Sequence, residues 1–66
     1  MEEWRTFKPG DRVVVLHPIS QTERAMVGRR FRFDRYAHPH GYAVVSDEHG
    51  SWHLHPEALA REEAVA

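Results

Sequence analysis

Phe7-Lys8-Pro9-Gly10-Asp11-Arg12-Val13-Val14-Val15-Leu16 reads as a turn that delivers the backbone into a strand. Proline presets φ and glycine tolerates positive φ, so Pro9-Gly10 is a turn with a mechanism. Val13, Val14 and Val15 are β-branched and suit a pleated, half-buried surface better than a helix. Alternation over 11–16 places Val13 and Val15 on one face and Arg12, Val14 and Leu16 on the other. A first strand apolar on both faces needs a cover on its outer side, and either the N-terminal arm or the C-terminal tail can supply it.

Downstream of this strand, His17-Pro18 ends the ladder, because proline has no N–H to donate. Residues 19–25 form a polar loop longer than a usual hairpin connection. Within it Ser20 and Glu23 have capping-box spacing, which predicts at most one helical turn over Ser20 to Met26. Met26 to Tyr36 is the second predicted strand. Val27, Phe31 and Phe33 fall on odd positions and Arg30, Arg32 and Asp34 on even ones, a period of two with aromatics inward and charges outward. Gly28 inside this run predicts a bulge or tight bend.

Residues 37–41 connect to a third strand, Tyr42 to Asp47. Glu48-His49-Gly50 is a tight hairpin turn. A fourth strand covers Ser51 to His55, with Trp52 and Leu54 on one face and His53 and His55 on the other. Pro56 to Leu59 is a single helical turn with proline at its start. Residues 60–66 fit a helix by propensity and a short closing strand by architecture. Residues 1–6 read as an arm anchored by Trp4 and Phe7. The expectation is one all-β domain over 1–66, a small barrel of about five short antiparallel strands with a one-turn helix near the C-terminus.

Size and composition narrow the function. A chain of 66 residues buries only about 60% of the surface its unfolded form exposes, so each aromatic matters to stability. There is no cysteine, hence neither a disulfide nor a thiolate metal site, and a cytoplasmic location is expected. The charged start Met1-Glu2-Glu3-Trp4-Arg5 and the lack of a long apolar run predict no signal peptide and no membrane segment. Net charge is −1 with neutral histidines, which argues against a general polyanion binder. The charge is nonetheless polarised. Residues 24–36 carry five arginines against Asp34, and residues 47–66 carry five acids against Arg61. Such asymmetry implies either an intramolecular fit or a surface that steers partners.

The order of elements resembles the SH3-like small barrel, in the broad group that includes KOW and Tudor-like domains. The resemblance is carried by Lys8-Pro9-Gly10-Asp11-Arg12-Val13, by Met26-Val27-Gly28-Arg29 and by Trp52-His53-Leu54-His55-Pro56-Glu57-Ala58-Leu59. It covers roughly residues 7 to 63. The layout is similar to the barrel subunits of photosystem I and ferredoxin–thioredoxin reductase, and to the barrel of the nitrile hydratase β chain. Phe31 stands where the KOW pattern places its second glycine, which argues against a ribosomal type of RNA binding. The resemblance implies a non-catalytic binding module, and the partner has to be argued from the surface.

Three constellations are candidates for that surface. Arg29, Arg30, Arg32 and Arg35 with Tyr36 form a basic-aromatic strand; arginines grip carboxylates and phosphates bidentately, and aromatics offer stacking platforms. Tyr42 and Trp52 join them where exposed, and the 17–25 loop borders them. Cross-strand pairing of Arg30 and Arg32 with Asp47 or Glu48 is the purely structural alternative. The six histidines, His17, His38, His40, His49, His53 and His55, lack recognised ligand spacing. Solvent-facing imidazoles are therefore expected, with His-mediated metal binding as an alternative and no cofactor. Protonation of all six would carry net charge toward +5. Ser46, Asp47 and His49 lie close in sequence, but a hairpin turn rarely supplies triad geometry, so no enzyme activity is expected. These readings lead to a small cytoplasmic protein-interaction module: a regulator, inhibitor or accessory subunit of a larger bacterial or phage assembly. Nucleic-acid binding through the arginine strand is the alternative. The oligomeric state is open, since an edge at a barrel gap can pair with a second copy.

Overall fold

Lys8 to Asp11 forms a hydrogen-bonded turn, with the Asp11 N–H donating to the Lys8 carbonyl at 2.9 Å and Gly10 at φ +94°. The Asp11 side chain closes it by accepting from the Lys8 N–H at 2.8 Å. The turn enters the ladder through a reciprocal pair: Gly10 N–H to Phe33 O and Phe33 N–H to Asp11 O, each 2.8 Å. The computed structural model describes residues 7–37 and 41–64. Its elements are β1 (Arg12–Val15), α1 (Gln21–Arg24), β2 (Arg30–Ala37), β3 (Tyr42–Asp47), β4 (Gly50–Leu54) and β5 (Leu59–Arg61). Short 3-10 turns cover Pro56–Ala58 and Glu62–Ala64.

All five strands belong to one antiparallel sheet in the order β4-β3-β2-β1-β5. The two edge strands, β4 and β5, are consecutive in sequence. A flat sheet would hold them about 19 Å apart at roughly 4.8 Å per strand. The connection through Pro56–Ala58 rises about 2 Å per residue in its 3-10 part and spans no more than about 13 Å. The sheet therefore has to curl on itself, and its concave face encloses the core. Leu16 N–H and His17 N–H both donate to Ala58 O, at 2.9 and 3.1 Å, and tie the end of β1 to this connection.

The core holds Val13, Val15, Phe31, Phe33 and Leu54 on the faces that alternation predicts. Val13 and Val15 from β1, Phe31 and Phe33 from β2, Ala43 and Val45 from β3, Leu54 and Leu59 fill it with Phe7 and Met26. Each fully buried large apolar side chain contributes about 1.5–3 kcal/mol, a large share of the stability of so small a domain. Phe33 packs on Phe7 and on Tyr36, at ring centroid distances of 5.6 and 4.8 Å. Val14 is buried on the opposite face. The C-terminal turn Glu62–Ala64 packs on β1 there, so the tail covers the strand's outer side. The predicted arm, with Trp4, lies outside the described residues.

Two details of β2 depart from the alternation reading. The strand begins at Arg30, four residues later than predicted, because α1 runs directly into a turn over residues 25–28. Gly28 sits at φ +88° and donates to Val15 O at 2.8 Å, so of the bulge and the tight bend expected there it makes the bend; Val27 is exposed rather than in the core. The bulge falls at Asp34 instead. Phe33 pairs with Val45 and Arg35 with Val44, leaving Asp34 as the extra residue. That insertion flips the parity of the strand: Arg35 turns outward and Tyr36 inward against the core. At the C-terminal end, β5 and the following 3-10 turn divide residues that the sequence left between strand and helix.

Candidate functional site

Register brings three arginines onto one convex face. Arg12 lies opposite Arg32, and Arg30 opposite Val14. Their inward neighbours Val13, Phe31 and Phe33 are in the core, so period-two geometry sends the arginines into solvent. Their side chains are 66%, 66% and 62% exposed. Arg32 also faces Ser46 across the β2–β3 ladder. An open groove of about 860 Å³ runs along this face, lined by Arg12, Arg29, Arg30, Arg32 and Trp52, with Asp47 and Glu48 at its edge.

The arginines are weakly countered. Arg32 Nε is 3.3 Å from Asp34 Oδ1, and Arg12 and Arg30 share Glu62 at 3.7 Å each. Asp47 and Glu48, the cross-strand partners expected for Arg30 and Arg32, do not take that role. The bulge delivers Asp34 beside Arg32, and the tail delivers Glu62 between Arg12 and Arg30. Exposed pairs of this kind are worth about 0–1 kcal/mol. They leave the three guanidiniums accessible.

Arg29 is different. Its guanidinium donates to Asp47 Oδ2 at 2.9 Å and lies 5.1 Å from the ring centroids of both Phe31 and Trp52. Phe31 and Trp52 are themselves stacked at 5.4 Å. Arg29 is thus a structural cation that ties the start of β2 to the end of β3 and to Trp52 of β4. Asp47 also accepts from the His49 backbone N–H at 2.8 Å. Desolvation pushes its carboxyl up, but that hydrogen bond and Arg29 outweigh it and hold the carboxyl below its ordinary range. Both Asp47 oxygens thus accept a hydrogen bond, one from the Arg29 guanidinium and one from the His49 backbone.

The predicted site residues therefore separate. Arg30 and Arg32 share the convex face, and Arg35 is exposed on the far side of the bulge. Arg29 and Trp52 border the groove but hold each other. Tyr36 leaves the group: its hydroxyl accepts from the Phe7 N–H at 3.1 Å, and burial pushes its phenol up. Tyr42 is exposed at the sheet's edge-on contact with His55, ring centroids 5.2 Å apart. Arg12 was missed by the sequence reading. Alternation in β1 already pointed it outward, but only the β1–β2 register sets it against Arg32.

The 17–25 loop is pinned. Ser20 caps α1 and Glu23 completes the predicted capping box. Glu23, however, is 1% exposed. Oε1 accepts from the Ile19 and Ser20 N–H groups at 2.9 Å each, and Oε2 accepts from the His55 backbone N–H at 2.6 Å and lies 2.9 Å from its Nδ1. The imidazole of His55 is committed to that carboxylate, and His53 is exposed one residue before Leu54. His38 and His40 lie outside the described residues. Among the described residues no three His, Asp or Glu side chains converge on a point where a metal could sit. No helix among them is long and apolar enough to cross a membrane. No protein family, curated protein or solved structure matches the chain.

Proposed function

We propose that the chain is a non-catalytic protein-interaction module of the SH3-like barrel type, which grips an acidic protein segment on the convex face of β1–β3. The observation that carries this reading is the row of Arg12, Arg30 and Arg32 on adjacent strands, each about two-thirds exposed. The strand order β4-β3-β2-β1-β5 and the 3-10 turn before β5 support the barrel type. Arginine is over-represented at protein interfaces, and bidentate pairing with carboxylates gives it geometric specificity. A cytoplasmic regulator, inhibitor or accessory subunit of a larger bacterial or phage assembly is the role that fits such a surface.

The aromatic groups favour a protein over a nucleic acid. Tyr36 is turned into the core, and Trp52 is half-buried between Phe31 and Arg29. Among the described residues, Tyr36 and Trp52 thus do not offer the basic face the open stacking platforms on which single-stranded nucleic acids depend. Asp34, Asp47, Glu48 and Glu62 interrupt the positive track that a phosphate backbone would follow. Crosslinked capture from the native host, with the Arg30→Ala/Arg32→Ala variant as control, tests the reading. A protein captured by the wild type, retained after nuclease and lost in the variant, supports it. Capture that disappears with nuclease supports RNA or DNA as the ligand and overturns it.

A further inference from the structure

Glu62 stands between two arginines and satisfies neither. Arg12 Nε and Arg30 NH1 lie 3.7 Å from Oε1 and Oε2 respectively, beyond hydrogen-bonding distance. Oε1 is buried and has no hydrogen-bond partner among the described residues. A carboxylate oxygen removed from water without a donor is an unfavourable arrangement. The guanidiniums, by contrast, reach well into solvent. A carboxylate on a free segment can approach them at the 2.7–2.9 Å of a charge-assisted bond. Glu62 does not reach that distance in the free protein.

We propose that Arg12 and Arg30 form a clamp for one aspartate or glutamate side chain of the partner. Glu62 fills this clamp in the free protein and is displaced on binding. The inference rests on the reading of the arginine face as a protein-binding surface, and it adds the anchor position and an internal competitor. The competitor sits on a 3-10 turn only three residues long, an element with poor hydrogen-bond geometry that yields easily. Glu62 thereby sets a threshold: weakly acidic surfaces do not evict it, and densely acidic segments do.

The test uses a fluorescein-labelled octaglutamate peptide, read by anisotropy at low ionic strength. Removing the competitor in Glu62→Gln tightens binding by roughly twofold to fivefold, the upper range of one exposed ion pair. Glu63→Gln makes the same change of net charge on the exposed neighbour and so measures the general electrostatic gain, which the Glu62→Gln effect must exceed. Arg12→Gln/Arg30→Gln, which keeps polar stems over Val14, abolishes binding. Melting curves of each variant establish that it is folded. If Glu62→Gln binds no tighter than Glu63→Gln, or no variant binds the peptide, the clamp is overturned. The protein-binding reading is judged separately, by the nuclease-resistant capture.

Discussion

The buried carboxylate of Glu23 accepts both the backbone N–H and the ring of His55, at 2.6 and 2.9 Å, and so joins the helical turn to the end of β4. Burial pushes this carboxyl up. Backbone N–H groups of Ser20, His55 and Ile19, with the His55 ring, overcome that cost and hold it at about 2, against an ordinary 4.5. The difference corresponds to about 3 kcal/mol of folding free energy. That stability is fully present above the unfolded value of 4.5 and is lost as pH falls toward 2. Acid titration of the wild type should lose stability across this window, and Glu23→Gln should flatten most of it, with a residual slope from Asp47.

At neutral pH, Glu23→Ala leaves several buried N–H groups without acceptors and should destabilise the fold by about 3 kcal/mol. A melting temperature lowered by at least 10 °C is expected, at about 4–8 °C per kcal/mol for a domain of this size. His55→Ala removes the ring but keeps the backbone donor, so its cost should be about 1 kcal/mol. Equal melting points for the two variants would contradict the pin.

Arg29 and Asp47 should couple energetically. Arg29→Met removes the 2.9 Å hydrogen bond and both aromatic contacts, at about 1–3 kcal/mol. Asp47→Asn should cost less, since the amide oxygen can still accept from the His49 N–H. A double-mutant cycle measured by denaturant unfolding should give a non-zero coupling energy, whereas additive effects would make the pair incidental.

Gly28 tests the corrected start of β2. Open space surrounds the position of an added Cβ, and only the positive φ resists it. Gly28→Ala should therefore cost about 1–2 kcal/mol through backbone strain alone. An unchanged melting temperature would place Gly28 outside the left-handed region.

The fold was legible in the sequence because much of its core follows alternation. Val13 and Val15, Phe31 and Phe33, and Leu54 lie where period-two burial places them. Alternation failed at Asp34, where a bulge exchanges the faces of Arg35 and Tyr36. A bulge leaves no mark in a run of strand formers when the extra residue is not glycine, and the only glycine in the segment drew attention to position 28. Glu23 was legible as a capping residue, because Ser20 lies three positions before it. Its bond to His55, 32 residues away, is a tertiary contact with no local signature. The arginine face was half legible. Arg30 and Arg32 come from one strand's alternation, whereas Arg12 joins them through register and Glu62 through the path of the tail.

Substituting Arg30 and Arg32 by alanine should leave the fold intact, because both are exposed and weakly paired. The change in stability should stay within about 0.5 kcal/mol for each. A larger loss would show that these arginines serve the barrel rather than a partner.

The most direct test of the convex face as the binding surface is an NMR titration of the isotopically labelled chain with the octaglutamate peptide. Amide shifts concentrated at Arg12, Arg30, Arg32 and Ser46, and suppressed by salt, are the predicted result. Shifts confined to the 17–25 loop, or no shifts with the peptide where a thymidine oligonucleotide produces them, would contradict it.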